Sequence, residues 1–175
     1  MAAALTVQVL RSMRREFDAT GELSPPTVAA MYACYAAHAT ATAQAARHRS
    51  GAVHLPYRPA AGTGAMLIVG GTGLCAAGMD RFVSVGQISG TDVGDLTTGG
   101  VYRHSRNPQY TGYIALLSGV GLARRSGGVL ALAAAAALAF RWWVPVEEHH
   151  LEREFGDTYR RYRNQTPRWL GLPHT

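Results

Sequence analysis

The stretch Ala60–Met79, AAGTGAMLIVGGTGLCAAGM, contains no Asp, Glu, Lys or Arg. It matches the roughly 20 helical residues needed to cross a hydrocarbon core of about 30 Å. Working outward, residues 23–46, 107–123 and 126–140 are equally free of those side chains, although charges are frequent between them. The mean hydropathy of the whole chain is near zero, an average that conceals four apolar blocks. The last two blocks are short but are lengthened by amphipathic ends, Tyr110 on one and Arg141, Trp142 and Trp143 on the other. Only Arg124 and Arg125 separate them, which reads as a tight helical hairpin. Pro25 and Pro26 mark the start of the first block, since proline is tolerated in a helix's opening turn. The expected fold class is all-α and integral to a membrane, with about four transmembrane helices. A soluble protein with buried alanine-rich helices is the competing reading, because shorter apolar runs are more often core helices.

The charges agree with a membrane partner. The chain carries a formal net charge of +6, has no lysine, and draws all 17 of its basic side chains from arginine. A nucleic-acid surface calls for arginines in a stripe interleaved with aromatics, whereas here they bracket the apolar blocks. With four spans, Arg11, Arg14, Arg15, Arg81, Arg103, Arg106, Arg153, Arg160, Arg161, Arg163 and Arg168 fall on one side. Arg47, Arg49, Arg58, Arg124 and Arg125 fall on the other. This asymmetry favours a cytoplasmic membrane, most simply a bacterial one, with both termini in the cytoplasm. Cys34 and Cys75 lie in separate apolar blocks without metal-ligand spacing, so neither a disulfide nor a zinc site is expected. Residues 16–22 are polar, so no cleaved signal peptide is expected either.

Between the blocks, Leu5, Val9, Met13 and Phe17 are spaced as one face of an amphipathic N-terminal helix. Residues 47–59 form a basic loop. Residues 80–106 are too long and polar for a simple turn, and long loops of this kind tend to carry function. From Glu147 to Arg163 the chain is charged, with Leu151, Phe155, Tyr159 and Tyr162 at helical intervals and Gly156 as a kink or close-contact point. The whole is read as a single domain, 1–175.

Two polar clusters flank the hairpin: Tyr102 to Tyr110 before it, and Glu147, Glu148, His149 and His150 after it. The hairpin returns both to the same membrane face, and this convergence is the main geometric inference. Adjacent glutamates on one helix point about 100° apart, so Glu147 and Glu148 are expected to divide into one residue facing a ligand and one bracing an arginine or backbone. A metal site is not expected from Glu148, His149, His150 and Glu152, whose spacing is not that of a His-Glu-x-x-His helix. His104, His149 or a glutamate is a candidate for assisting a proton's departure. His38, inside the first block, is expected to bond another helix.

The run Gly100-Val-Tyr-Arg-His-Ser-Arg-Asn-Pro-Gln-Tyr-Thr-Gly112, the hairpin, and Glu147-Glu148 followed by Leu151, Phe155, Gly156, Tyr159, Tyr162, Pro167 and Arg168 together resemble the integral-membrane methyltransferase superfamily. That superfamily includes isoprenylcysteine carboxyl methyltransferases and phospholipid N-methyltransferases, and the likeness covers residues 94–171. It implies an N-terminal region of helices and loop, 1–93, and a cofactor-binding catalytic region, 94–171. In that region a C-terminal amphipathic helix encloses S-adenosylmethionine at the cytoplasmic face. The resemblance further implies cofactor contacts from Tyr102, Arg106, Asn107, Pro108, Tyr110, Glu147 and Glu148, and catalytic roles for Arg106, Glu148 and Arg168. Asn107 stands where the family usually has histidine, and it cannot become cationic. Gly71-Thr72-Gly73 is similar to a Gly-x-Gly element that phospholipid N-methyltransferases place near the cofactor, although helix packing accounts equally well for glycines there.

The activity implied is S-adenosylmethionine-dependent methyl transfer to a lipid-soluble acceptor among the membrane lipids, isoprenylcysteine carboxyl methyltransferase-like, with no nucleic acid involved. Phospholipid amine N-methylation and small-thiol methylation are the alternatives within the superfamily. Outside it stand a nicotinamide-dependent membrane reductase and a non-catalytic membrane scaffold.

Overall fold

The apolar face Val9, Met13, Phe17 becomes the buried side of a 19-residue helix, α1 (Ala2–Thr20). These coordinates, a computed structural model, describe residues 2–81 and 94–173. Gly21 turns the chain at φ 78°, and α2 (Pro25–His48) begins with proline in its first turn. Its Ser24 cap residue makes no capping bond of its own. Instead the Glu16 carboxylate of α1 accepts from the Ser24 N–H at 2.8 Å, the Ser24 hydroxyl at 3.0 Å and the Thr27 hydroxyl. A negative group thus sits at the positive end of α2's dipole.

Helix α3 (Tyr57–Met79) runs antiparallel to α4 (Pro108–Arg124), and glycine sets their separation. Gly64, Gly71 and Gly78 recur every seven residues on one face of α3, as Gly112 and Gly119 do on α4. A Cβ at Gly71 would lie 2.5 Å from the Leu116 amide nitrogen, and one at Gly112 would lie 2.6 Å from that of Cys75. The two backbones are therefore in direct contact, as small residues permit in membrane helices. Gly73 faces open space, so packing accounts for Gly71 in the Gly-x-Gly element and nothing in the fold for Gly73.

Arg125, in the left-handed conformation at φ 53°, and the buried cap Ser126 turn α4 into α5 (Gly127–Gln165). The expected hairpin is present. Up to the break at Gly156, residues 127–155 of α5 run about 44 Å at 1.5 Å per residue, longer than the hydrocarbon thickness. The first half of α5 suits a bilayer by length and composition, and its second half is charged. Pro145 removes one helical hydrogen bond within it. At Gly156 the backbone leaves helical geometry altogether, with φ 51° and ψ −124°.

All named elements among the described residues are helical, including a 3-10 turn at Gly100–Arg103. Helices α3 and α5 are long and apolar enough to cross a membrane. The other two blocks fall short for different reasons. Helix α2 is diluted by Thr27, His38, Thr40, Thr42 and Gln44, and α4 has 17 residues, about 26 Å. Of the polar 80–106 segment, Gly86 and Gly90 lie outside the described residues.

Candidate active site

The C-terminal tail is stitched to the segment preceding α4. The Arg106 N–H donates to Pro167 O at 3.0 Å, the Gly171 N–H to His104 O at 2.9 Å, and Asn107 Nδ2 to Arg168 O at 3.0 Å. Asn107 is buried, and its carbonyl also receives the Thr111 hydroxyl. Its job is to hold two strands of irregular chain together, which needs an amide rather than a charge. Pro108 is fully buried at the start of α4 and packs beneath Gly78.

This stitching delivers Arg168 to Glu148. Arg168 Nε and Nη2 donate to the two carboxylate oxygens at 3.1 and 2.6 Å, a bidentate pair. The hydrogen bond to Glu148 raises the Arg168 pKa above its ordinary value. Arg106 Nη1 lies 2.8 Å from Glu148 Oε1 on the other side, with both side chains only 10% exposed. Arg106 Nη1 is thus held by an ion pair, and Arg106 Nε is buried. The buried Tyr159 hydroxyl lies beside the same guanidinium.

Glu147 takes the other direction, as the helical angle between neighbours requires. Its Oε1 accepts from the Tyr110 hydroxyl at 2.7 Å. Tyr110 stacks on Phe140 at a centroid distance of 4.3 Å. The Tyr102 hydroxyl donates within reach of Gly78 O and Gln109 Oε1 at 3.3 and 3.2 Å, and Tyr102 O accepts the Tyr162 hydroxyl at 2.8 Å. Burial, and then the Glu147 charge, push the Tyr102 phenol well above its usual pKa.

These groups form one end of a cavity of about 440 Å³ that all five helices help to line, within the volume range of small-molecule sites. Tyr102, Arg106, Asn107, Tyr110, Glu147 and Glu148 line it, whereas Pro108 and Arg168 stand behind them. The cavity is also lined by Tyr32 and Tyr35 of α2, Tyr113 of α4, Phe140 and Trp143 of α5, and Met13 and Phe17 of α1.

A sequence match covers residues 60–158, more than half of the chain, and identifies phospholipid methyltransferases. The chain belongs to that family. It is accordingly a membrane methyltransferase by family, with two helices suited to cross the bilayer. Comparisons with curated proteins and with solved structures give no match. The matched segment of the family contains Glu147, Glu148, Arg106 and Tyr110, and stops short of Arg168.

Sequence reasoning missed the part that α1 plays. Phe17 meets Trp143 and His150 edge-on at centroid distances of 5.5 and 4.7 Å, and Arg153 caps the end of α1 through Phe17 O and Asp18 O at 2.5 and 3.1 Å. His104 and His149 are exposed and do not line the cavity, whereas His150 does. The signal was present: Trp143, Glu147, His150 and Leu151 follow helical spacing on a single face. His38 bonds other helices as expected. Its Nε2 lies 3.2 Å from Leu132 O, which can only accept, leaving Nδ1 to take the Tyr113 hydroxyl at 3.0 Å.

Proposed function

We propose that the protein transfers a methyl group from S-adenosylmethionine to a lipid-soluble amine inside this cavity. The observation that carries the reading is a buried guanidinium, Arg106, beside the Glu147–Glu148 carboxylates in a cavity with many aromatic and aliphatic lining residues. S-adenosylmethionine presents a carboxylate, an ammonium, ribose hydroxyls and a sulfonium. The Arg106 guanidinium suits the carboxylate, and Glu147 suits the ammonium or the hydroxyls. The residues present therefore fit the cofactor. When bound, it supplies a methyl group already activated by its positive sulfur.

The remaining work belongs to the chain. Arg106 and Glu147 bind, Glu148 holds Arg106 and Arg168 in place, and Tyr102, Asn107 and Pro108 fix the turn that presents them. Tyr110 orients Glu147. Phe17 and Trp143 exclude water from the apolar side, so that donor and acceptor meet in a fixed line. A protonated amine must lose a proton before it can attack, and Glu147 is the carboxylate placed to accept it.

An amine is favoured over a carboxylate acceptor by the walls. Tyrosine, phenylalanine and tryptophan faces attract a cation, and Arg106, the one arginine among the described lining residues, already stands beside Glu148. The second reading, an isoprenylcysteine-like carboxylate, would take the Arg106 guanidinium for the acceptor instead of the cofactor. Four membrane spans, α2 to α5, with both termini cytoplasmic complete the proposal. It is supported by His38, whose polar atoms are satisfied inward as a polar residue within a span requires.

Purified protein incubated with methyl-labelled S-adenosylmethionine and, separately, phosphatidylethanolamine, a prenylated cysteine and a small alkyl thiol tests the acceptor. Label in phosphatidylethanolamine is the expected result. Label confined to the prenylated cysteine would replace the amine with the carboxylate reading, and absence of transfer to any lipid would overturn both.

A further inference from the structure

The helix ends farthest from the cavity carry the chain's other concentration of charge. The cavity reaches α3 at Cys75 and Met79, while Tyr57 and Arg58 lie at its other end, about 27 Å away along the helix. There the end of α2, the start of α3 and the end of α4 bring together Arg47, Arg49, Arg58, Arg124 and Arg125. No acidic residue occurs between Glu22 and Asp80 or between Asp95 and Glu147, so the sequence around this face offers no countercharge.

The backbone beneath is tightly fixed. The Gly127 and Gly128 N–H groups donate to Gly51 O and Ser50 O, and the Val53 N–H to Arg125 O, each at 2.9 Å. The Ser126 hydroxyl, fully buried, lies 3.1 and 3.0 Å from Ala45 O and Ser50 O. Arg49 and Arg125 occupy left-handed conformations at φ 48° and 53°, which glycine adopts more readily. Arg49 Nε donates to Arg124 O and Arg124 Nε to Ala46 O at 3.2 and 3.1 Å. The Arg49 and Arg124 guanidiniums are thus anchored through Nε on helix C-termini, their terminal nitrogens making no bond among the described residues, while Arg125 Nη1 reaches Leu55 O at 3.5 Å. Arg125 also lies over the exposed Tyr57 ring at 5.6 Å, an aromatic suited to the membrane boundary.

We infer that this face is a docking surface for anionic phospholipid headgroups, at the helix ends opposite those that line the cavity. A lipid is indicated because the face adjoins α3, in whose apolar stretch only 17% of residues are buried inside the protein. Met66 and Val69 on that helix are 76% and 73% exposed, a flank for acyl chains beneath arginines placed at headgroup height. Guanidiniums pair bidentately with phosphate oxygens. The surface is independent of the cofactor and of the reaction.

The full-length protein, extracted from bilayer discs containing equal dioleoylphosphatidylglycerol and dioleoylphosphatidylcholine, is examined by native mass spectrometry. The wild type is expected to retain phosphatidylglycerol preferentially. Arg47→Gln with Arg58→Gln, two exposed side chains that anchor no carbonyl, should fold normally and reduce that preference by about fivefold per arginine. Arg14→Gln with Arg15→Gln on α1 should leave it unchanged. Equal retention of the two lipids by wild type, an equal loss in the α1 variant, or displacement of phosphatidylglycerol by an equal concentration of inorganic phosphate would each overturn the inference.

Discussion

Glu148 is gripped by two guanidiniums of unequal burial, since Arg168 is 44% exposed and Arg106 only 10%. Glu148→Gln would leave Arg106 positive in a buried site, a change that destabilises by several kcal/mol when a pair is fully enclosed. Solvent around Arg168 lowers the expectation to about 3 kcal/mol, readable as a lower thermal midpoint in detergent. Glu16 gives a pH dependence of definite sign. Partial desolvation pulls its pKa up, but the hydrogen bonds from Thr27 and Ser24 outweigh it and hold the carboxyl below 4.5. A depressed carboxyl contributes stability above its unfolded value and loses it as pH falls through the folded one. The stability gap between wild type and Glu16→Gln should therefore be full at pH 6 and close progressively below pH 4.5, and a gap unchanged by acid would refute the latch. At this scale much was legible. Adjacent glutamates had to diverge, and they do, but which one met the arginines depended on a tail folded back from residues 166–171 that no local pattern encodes.

Glycine makes the strongest claims about elements. A Leu at Gly71 has backbone in its path, so Gly71→Leu should cost about 3 kcal/mol or prevent folding. Gly73→Ala, with nothing within 4 Å, should raise stability by about 0.5–1 kcal/mol through helix propensity. Denaturation of the two variants side by side separates packing from any cofactor role of the Gly-x-Gly element. Gly156→Ala is a third case, in which space is free but φ 51° with ψ −124° is not. Strain of about 1–3 kcal/mol should follow, with Tyr159 and Tyr162 drawn out of register. The helices themselves could be read in advance because uncharged blocks, Pro25 and the Arg124–Arg125 break leave local marks. The seven-residue glycine spacing was also in view, but its partner helix is a tertiary fact.

Across the molecule, the cavity draws one polar end from the segment before α4 and the middle of α5, and closes its apolar side with α1. The sequence indicated the polar end, because a hairpin must return both clusters to one face. It did not indicate the closure, because an amphipathic helix with arginines on its outer face reads equally well as lying on a membrane. Phe17→Ala removes the ring that meets Trp143 and His150, and should weaken retention of a bound ligand while leaving Glu147 and Glu148 in place. The central claim, that this cavity holds S-adenosylmethionine through its arginine and glutamates, is tested most directly by calorimetric titration of the detergent-purified protein with the cofactor, beside a Glu147→Gln, Glu148→Gln double variant whose helicity is checked by circular dichroism. Saturable binding to wild type that disappears in the folded double variant is the predicted result; a folded wild type that does not bind, or a double variant that binds as well as wild type, would contradict it.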